Sequence, residues 1–279
     1  SDLTNSGDRE AQLRTELDAA VSATTLPVLV GTGWFRLTAD RYYVPISVAV
    51  PGSAVPVSGP DPVSVDVLGA VRDEQGRQIG RMRETVKVPA AGTTLAGKQV
   101  LYQSGVLLPP GRFSVKVIVR ENTTGTIGSF EAPLIVPELK QAPVKVSSVV
   151  MSTQLQPWTR GRTDNPLVRD GVQLLPNLTR VVNRSQRLYF YYEVYEPAAS
   201  NGASPLVRTS LAFYRGKVKV FETPTVERSE VDAAERKASV FQFELPADSL
   251  QPGLYTCQIN IVDAVASKFA FPRMTLLVR

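Results

Sequence analysis

The chain has 279 residues, 43% of them apolar, and a formal charge of +5. That length fits one large domain or two of ordinary size, and that apolar content supports buried cores and argues against disorder. With no histidine and a single cysteine, Ser-His-Asp and Cys-His catalysis, His/Cys zinc sites and an internal disulfide are all excluded within the chain.

The basic balance reads as a solvated surface. Arg160, Arg162 and Arg169 form a loose basic stretch, but no recognition helix or interleaved stacking aromatics accompany them, so no nucleic-acid partner is expected. No apolar run approaches the roughly 18 residues that span a bilayer. The N-terminus lacks the basic-then-apolar pattern of a signal peptide, so an exported form would be a mature protein or a piece of a longer one.

In chain order, Asp8 to about Ala23 reads as a helix. Asp8 suits an N-cap, Leu13, Leu17 and Val21 recur on one face, and Glu10 can pair with Arg14. After Pro27 the period changes to two. Tyr42, Val44, Ile46, Val48 and Val50 alternate with Tyr43, Pro45, Ser47 and Ala49, which predicts a strand with one buried face, with Pro45 at an edge or bulge. A Pro/Gly/Ser loop covers Pro51 to about Pro62. Val63 to Val71 is a strand, and Asp73-Glu74-Gln75-Gly76 is a turn before another. A strand ending near Leu101 leads to Pro109-Pro110-Gly111, and two more end near Val136. Pro137 to Pro143 reads as a linker.

The chain after the linker repeats the chain before it. Gly111 and Gly253 differ by 253 − 111 = 142, and at that offset Phe113 meets Tyr255, Val115 meets Cys257, Val117 meets Ile259, and Leu134 meets Leu276. Upstream the offset is 187 − 41 = 146, where Tyr43 meets Tyr189 and Val48 meets Val194. Two strand pairs matching in the same order imply a duplicated domain. The expected organisation is a helical segment over 1–24, a first domain over 25–140 and a second over 141–279. The second carries an extra piece, about 154–176, that holds Trp158, Arg160 and Arg162. Loops of that length are usually functional or mobile.

Gly253-Leu254-Tyr255-Thr256-Cys257 has the spacing of the tyrosine corner of immunoglobulin-like sandwiches. The expected fold class is therefore all-β: two tandem immunoglobulin-like β-sandwich domains preceded by a short helix. Cys257 shares parity with Tyr255 and Ile259 and should be an inert core thiol. Phe113 holds the corresponding corner of the first copy without a hydroxyl.

Several stretches carry a resemblance. Trp34-Phe35-Arg36-Leu37, Asp40-Arg41-Tyr42-Tyr43-Val44-Pro45, Ser147-Ser148-Val149-Val150, Asn165-Pro166-Leu167-Val168, Phe213-Tyr214-Arg215-Gly216, Phe221-Glu222-Thr223-Pro224 and Pro252 to Gln258 resemble the region that follows the von Willebrand factor A (VWA) domain in acidobacterial VWA-related proteins. The resemblance runs from about residue 8 over nearly the whole chain. It implies a secreted, periplasmic or cell-surface setting and a protein partner, with a preceding VWA domain as one candidate. The Asp-x-Ser-x-Ser metal motif of the A domain does not occur in the sequence, so no metal ligand carries over.

No residue set suggests catalysis, a cofactor or a metal. Calcium loops need a denser run of oxygen ligands than any found, and Gly31-Thr32-Gly33 is too short to cradle phosphate. The best binding candidates are Tyr189, Tyr191 and Tyr195, placed outward when Leu188, Phe190, Tyr192 and Val194 face the core. Tyrosine pairs contact area with a polar tip suited to proteins or sugars. Either the three form an open platform, or the insertion or the other domain covers them. Trp158 with Arg160 and Arg162 is either a contact site or the anchor of its own loop. Two functions remain open: a non-catalytic structural or protein-interaction module, and a carbohydrate-binding module.

Overall fold

A computed structural model describes residues 6–55, 61–88 and 99–279. The middle of the expected Pro51–Pro62 loop lies outside them. The chain divides into two compact units, one of Ser1–Thr32 with Val44–Val136 and one of Gly33–Tyr43 with Pro137–Arg279.

Unit 1 opens with α1 (Ser6–Asp18). Asp8 sits in its first turn rather than capping it, where its charge still complements the helix dipole. The helix stops five residues short of the expected Ala23, because tertiary pairing takes the chain away. Leu26 N–H donates to Ile127 O at 3.0 Å, Ser129 N–H to Ala23 O at 2.8 Å, and Thr24 bridges Gly128. Leu13 and Leu17 are buried as the spacing predicts, whereas Val21, beyond the helix, is 80% exposed.

The strands up to Val136 are β1 (Leu29–Thr32), β2 (Phe35–Thr38), β3 (Arg41–Pro51), β4 (Val63–Asp73), β5 (Gln78–Val88), β6 (Gln99–Leu108), β7 (Gly111–Glu121) and β8 (Ile127–Val136), of which β2 and the first residues of β3 fall in unit 2. β5-β4-β7-β8 form one antiparallel sheet, and β3 pairs with β1 and β6 in the other. Buried Val44, Ile46, Val48 and Val50 come from one sheet, and Val65, Val67, Val115, Val117 and Val119 from the other. Pro45 precedes the stretch of β3 paired to β1, Ile46–Ala49, so that pairing does not call on its missing N–H.

Unit 2 adds β9 (Lys145–Val146), β10 (Val150–Pro157), β11 (Val168–Arg169), β12 (Val172–Pro176), β13 (Val181–Val182), β14 (Arg187–Tyr195), β15 (Val207–Arg215), β16 (Val218–Glu222), β17 (Val226–Arg228), β18 (Ala238–Pro246), β19 (Gly253–Asp263), β20 (Lys268–Ala270) and β21 (Arg273–Val278). One sheet runs β11-β12-β10-β14-β18 and the other β13-β21-β19-β15-β16. Their inner faces share a core in which Phe190 meets Phe213 edge-on at 6.0 Å, with Tyr192, Phe241, Cys257 and Ile259 around them.

The repeat is thus one topology built twice. β5-β4-β7-β8 corresponds to β16-β15-β19-β21, and β1-β3-β6 to β10-β14-β18. Registers coincide at the offset of 142. Val65 faces Glu121 as Val207 faces Asp263, and Phe113 faces Leu134 as Tyr255 faces Leu276. Even the bulge after Val71 recurs after Phe213. Gly111 and Gly253 open β7 and β19 at φ of 154° and 151°, a conformation that side chains resist, which explains the glycine of both Pro-Gly motifs. The Tyr255 hydroxyl donates to Gln251 O at 2.6 Å and closes the corner. The shared strand order makes both units immunoglobulin-like sandwiches, and the hydroxyl-closed corner belongs to unit 2.

One boundary differs from the expectation. Residues 33–43 belong to unit 2 rather than to the first domain. Trp34 N–H donates to Ser148 Oγ at 2.9 Å and Ser148 N–H returns a bond to Trp34 O at 3.1 Å, so long-range pairing overrides chain order.

Candidate functional site

The alternation of β14 sends Leu188, Phe190, Tyr192 and Val194 into the core and Tyr189, Tyr191, Glu193 and Tyr195 to the other face. That other face is not an open platform. Tyr191 and Tyr195 are each 1% exposed, and only Tyr189 keeps partial access. Of the two alternatives left open by the sequence, the covered one holds for Tyr191 and Tyr195, so the three tyrosines are not an accessible binding row.

The cover within unit 2 is β2. Phe35 packs on Tyr191 with ring centroids 5.8 Å apart. The Arg36 backbone N–H donates to the Tyr195 hydroxyl at 2.8 Å, and the Arg36 guanidinium lies 4.9 Å over the same ring. Buried tyrosines need polar partners for their hydroxyls. Tyr191 finds its partner in Glu193, donating to Oε1 at 2.6 Å. Glu193, wholly buried, is neutralised by Arg236, which donates from Nε to both carboxylate oxygens and from a terminal nitrogen at 2.6 Å. Arg36 reaches Glu196 at 3.2 Å, and Lys145 bonds the same carboxylate.

Four of these groups, Tyr191, Tyr195, Arg236 and Glu196, have pKa values moved further from neutral pH. Burial, then the Glu193 charge, holds the Tyr191 phenol well above its ordinary range, and burial does the same to Tyr195. Burial opposes the charge on Arg236, but its bonds to Glu193 overcome that and raise it. The Lys145 bond, aided by Arg36, pulls Glu196 down to about 2. Burial alone lifts the Cys257 thiol to about 12, which keeps it unreactive in the core.

The 154–176 insertion is largely structured. β12 pairs with β10 and extends its sheet, and Leu167, Leu174 and Leu175 are buried. The Trp158 indole N–H donates to Gly161 O at 2.6 Å and its backbone N–H to Gly171 O at 2.8 Å, so this residue anchors its own loop. Arg160 and Arg162 are exposed on that loop. They do not join the tyrosines.

The insertion does form one wall of a cleft of about 330 Å³, in which Asp164, Asn165, Arg169 and Asp170 face Asp232, Glu235 and Arg236, with Leu37 of β2 also on the lining. A smaller hollow of about 220 Å³ lies among Leu155, Leu167, Val172, Leu174 and Tyr191. The buried Tyr191–Glu193–Arg236 frame touches both, Arg236 lining the cleft and Tyr191 the smaller hollow. Sequence reasoning missed Arg36, Glu193 and Arg236. Two signals were present: a glutamate on the tyrosine face of β14 needed a cation, and the aromatic Trp34–Leu37 segment needed a surface to pack on.

No protein-family model and no curated protein matches the chain. Among solved structures, a Bacteroides uniformis β-glucuronidase aligns at TM-score 0.29 and 10% identity, over 44% of this chain and 13% of its own. A putative β-galactosidase from Bacteroides fragilis aligns at 0.28 and 15%, over 39% and 16%. A second B. uniformis β-glucuronidase, covalently bound to cyclophellitol-6-carboxylate aziridine, aligns at 0.27 and 8%, over 85% and 26%. The chain thus spans about a quarter or less of these proteins' lengths, and scores this low assign no function.

Proposed function

We propose that the chain is a non-catalytic interaction module that works outside the cytoplasm, like the region following the VWA domain in the acidobacterial proteins it resembles. The observation that supports this most is the set of buried and ion-paired groups around β14, of which Arg236 reaches the cleft. A general acid or base works best with a pKa near the operating pH. Tyr191, Tyr195, Arg236 and Glu196 are all pushed the other way, so each keeps one protonation state across the neutral range. Such a frame holds a surface in shape; it does not relay protons.

The cleft rim suits a cationic polypeptide segment. Asp164 and Asp170 are exposed on its lining beside Arg169, while Asp232 is paired with Arg228 at 3.1 Å and Arg236 is committed to Glu193 and Glu235. This acidic concentration sits in a chain of net charge +5. The test mixes the chain with a separately expressed VWA domain from one of the resembled proteins, followed by carbodiimide crosslinking and mass spectrometry. Links from Asp164 or Asp170 to partner lysines are expected, and Asp164→Lys with Asp170→Lys should abolish them. Absence of any association or crosslink would overturn the reading. A glycan site on Tyr191 and Tyr195 finds no support, because neither ring is accessible.

A further inference from the structure

The duplicated registers allow the outer faces of the β5-β4-β7-β8 and β16-β15-β19-β21 sheets to be compared position by position. In unit 1 the face is covered. Leu68, Ala70 and Ile118 meet Leu13 and Leu17 of α1, with Ile127 packed beside them. Residues 23–26 line the edge of β8, where Gly128 admits Leu26 O to within 1.9 Å of the place a Cβ would occupy.

In unit 2 the counterparts of Leu68, Ile118 and Ile127 are Ser210, Asn260 and Phe269. Among the described residues unit 2 has no counterpart of α1, and β20 pairs only with β19. The face is not a vacant seat for the same cover. Ser210 and Asn260 replace the floor on which leucines would pack, and Ala270 stands where Gly128 admits the strap.

Two features make it a different kind of surface. Phe269 and Phe271 are 55% and 52% exposed, their rings parallel within 6° and their centroids 6.4 Å apart. Phe269 faces Val262 and Arg273 faces Gln258; the same register carried through Phe271 sets it opposite Asn260. From that point a polar ladder crosses the sheet. Arg273 Nε donates to Gln258 Oε1 at 2.8 Å, Gln258 to Asn260 Oδ1 at 2.8 Å, and Asn260 to Ser210 Oγ at 3.2 Å; Ser210 donates to Glu222 at 3.1 Å.

We propose that this face binds a glycan chain: the paired phenyl rings take the C–H face of a sugar ring, and Gln258, Asn260 and Arg273 exchange hydrogen bonds with its hydroxyls. Amide side chains both donate and accept, as each sugar hydroxyl does, and few convergent polar groups beside apolar rings are what orient a small ligand. An amphipathic polypeptide would instead require the apolar floor that unit 1 shows. This site lies on a different sheet from the cleft and stands or falls apart from the interaction reading.

The test uses the whole chain on an array of immobilised neutral and uronate-bearing oligosaccharides, with a synthetic peptide of residues 6–28 as the polypeptide arm. Binding to at least one oligosaccharide class and none to the peptide is expected. Phe269→Ala/Phe271→Ala should weaken glycan binding at least tenfold, and Gln258→Ala/Asn260→Ala should do so with the rings intact. Circular dichroism and melting of the Phe269→Ala/Phe271→Ala variant should match the parent, since the rings are exposed; the amide variant, which loses the ladder's own hydrogen bonds, is compared with the parent at a temperature where circular dichroism shows both folded. Silence across the array, binding indifferent to the ring substitutions, or capture of the 6–28 peptide would each overturn the proposal.

Discussion

The two copies agree where their sheets face each other and disagree where their sheets face outward. At the offset of 142, Val115 and Cys257, Val117 and Ile259, and Leu134 and Leu276 are all buried. On the outward positions of the same strands, Asp66 is 1% exposed whereas Arg208 is exposed, and Lys116 is 3% exposed whereas Gln258 is only half-buried. Core positions are held by packing between two sheets, which tolerates little change of shape. Outward positions answer to whatever covers them. Unit 1 covers its β5-β4-β7-β8 sheet with α1, while unit 2 covers β14 with β2 and leaves β19 open.

The largest expected effect lies in the cover of unit 2. Arg236→Ala would leave Glu193, at 0% exposure, as an uncompensated buried charge. Breaking such a pair costs about 3–5 kcal/mol. Both tryptophans, Trp34 and Trp158, lie in unit 2, so a urea titration followed by tryptophan fluorescence reads the loss there. Glu193→Gln combined with Arg236→Met should recover most of it. A loss below about 1 kcal/mol would mean that the pair does not support the cover.

In unit 1 the cover is apolar, so the break takes another form. Leu13→Ala removes a fully buried side chain between α1 and the sheet, with an expected cost of about 2–5 kcal/mol. Val21→Ala, at an exposed position, should stay within about 0.5 kcal/mol. Amide exchange at Ala23–Leu26 and Ile118 would register the first change and not the second. Equal effects would show that α1 does not act through its leucine face.

Much of this was legible in the sequence because periodicity reports burial between sheets. The 142-residue offset, the tyrosine corner and the core parity of Cys257 all follow from alternation along β7 and β19. Accessibility of the outer tyrosines was not legible. Alternation tells which residues share a face, not whether another segment lies on it, and Trp34–Leu37 reaches β14 across more than a hundred residues of chain. The end of α1 was hidden for the same reason. Leu13, Leu17 and Val21 have helical spacing, but the pairing of Ala23–Leu26 with β8 decides where the helix stops. Phe269 and Phe271 gave only a weak signal, two apolar residues at a short edge strand. Their meaning depends on comparison with the covered Ile127.

The corners offer a symmetric exchange. Tyr255→Phe deletes the bond to Gln251 O and should cost about 1 kcal/mol. Phe113→Tyr places a hydroxyl where Pro109 O, at the same offset, stands in for Gln251 O, and should stabilise unit 1 by up to about 1 kcal/mol. Opposite signs in thermal unfolding of the two variants would sharpen the equivalence of the corners. A destabilising Phe113→Tyr would break it.

The smallest expected effect is a pH dependence in unit 2. Lys145, then Arg36, lowers Glu196 from 4.5 to about 2. A depressed carboxyl contributes stability above its unfolded value and loses it as pH falls toward the folded one. The contribution should therefore be complete above about pH 4.5 and fade between there and about pH 2. The Glu196 side chain is 35% exposed, so solvent and salt screen the interaction and hold it to about 1 kcal/mol or less. Glu196→Gln removes the titrating group but keeps a hydrogen-bonding oxygen for Lys145 and Arg36. Urea midpoints read by tryptophan fluorescence should fall less steeply for the variant than for the parent across this window, and the gap should narrow in 1 M salt, where the Debye length is about 3 Å. Parallel slopes would remove Glu196 from the ionic cover, leaving Glu193–Arg236 as the pair that holds β2 over the tyrosines.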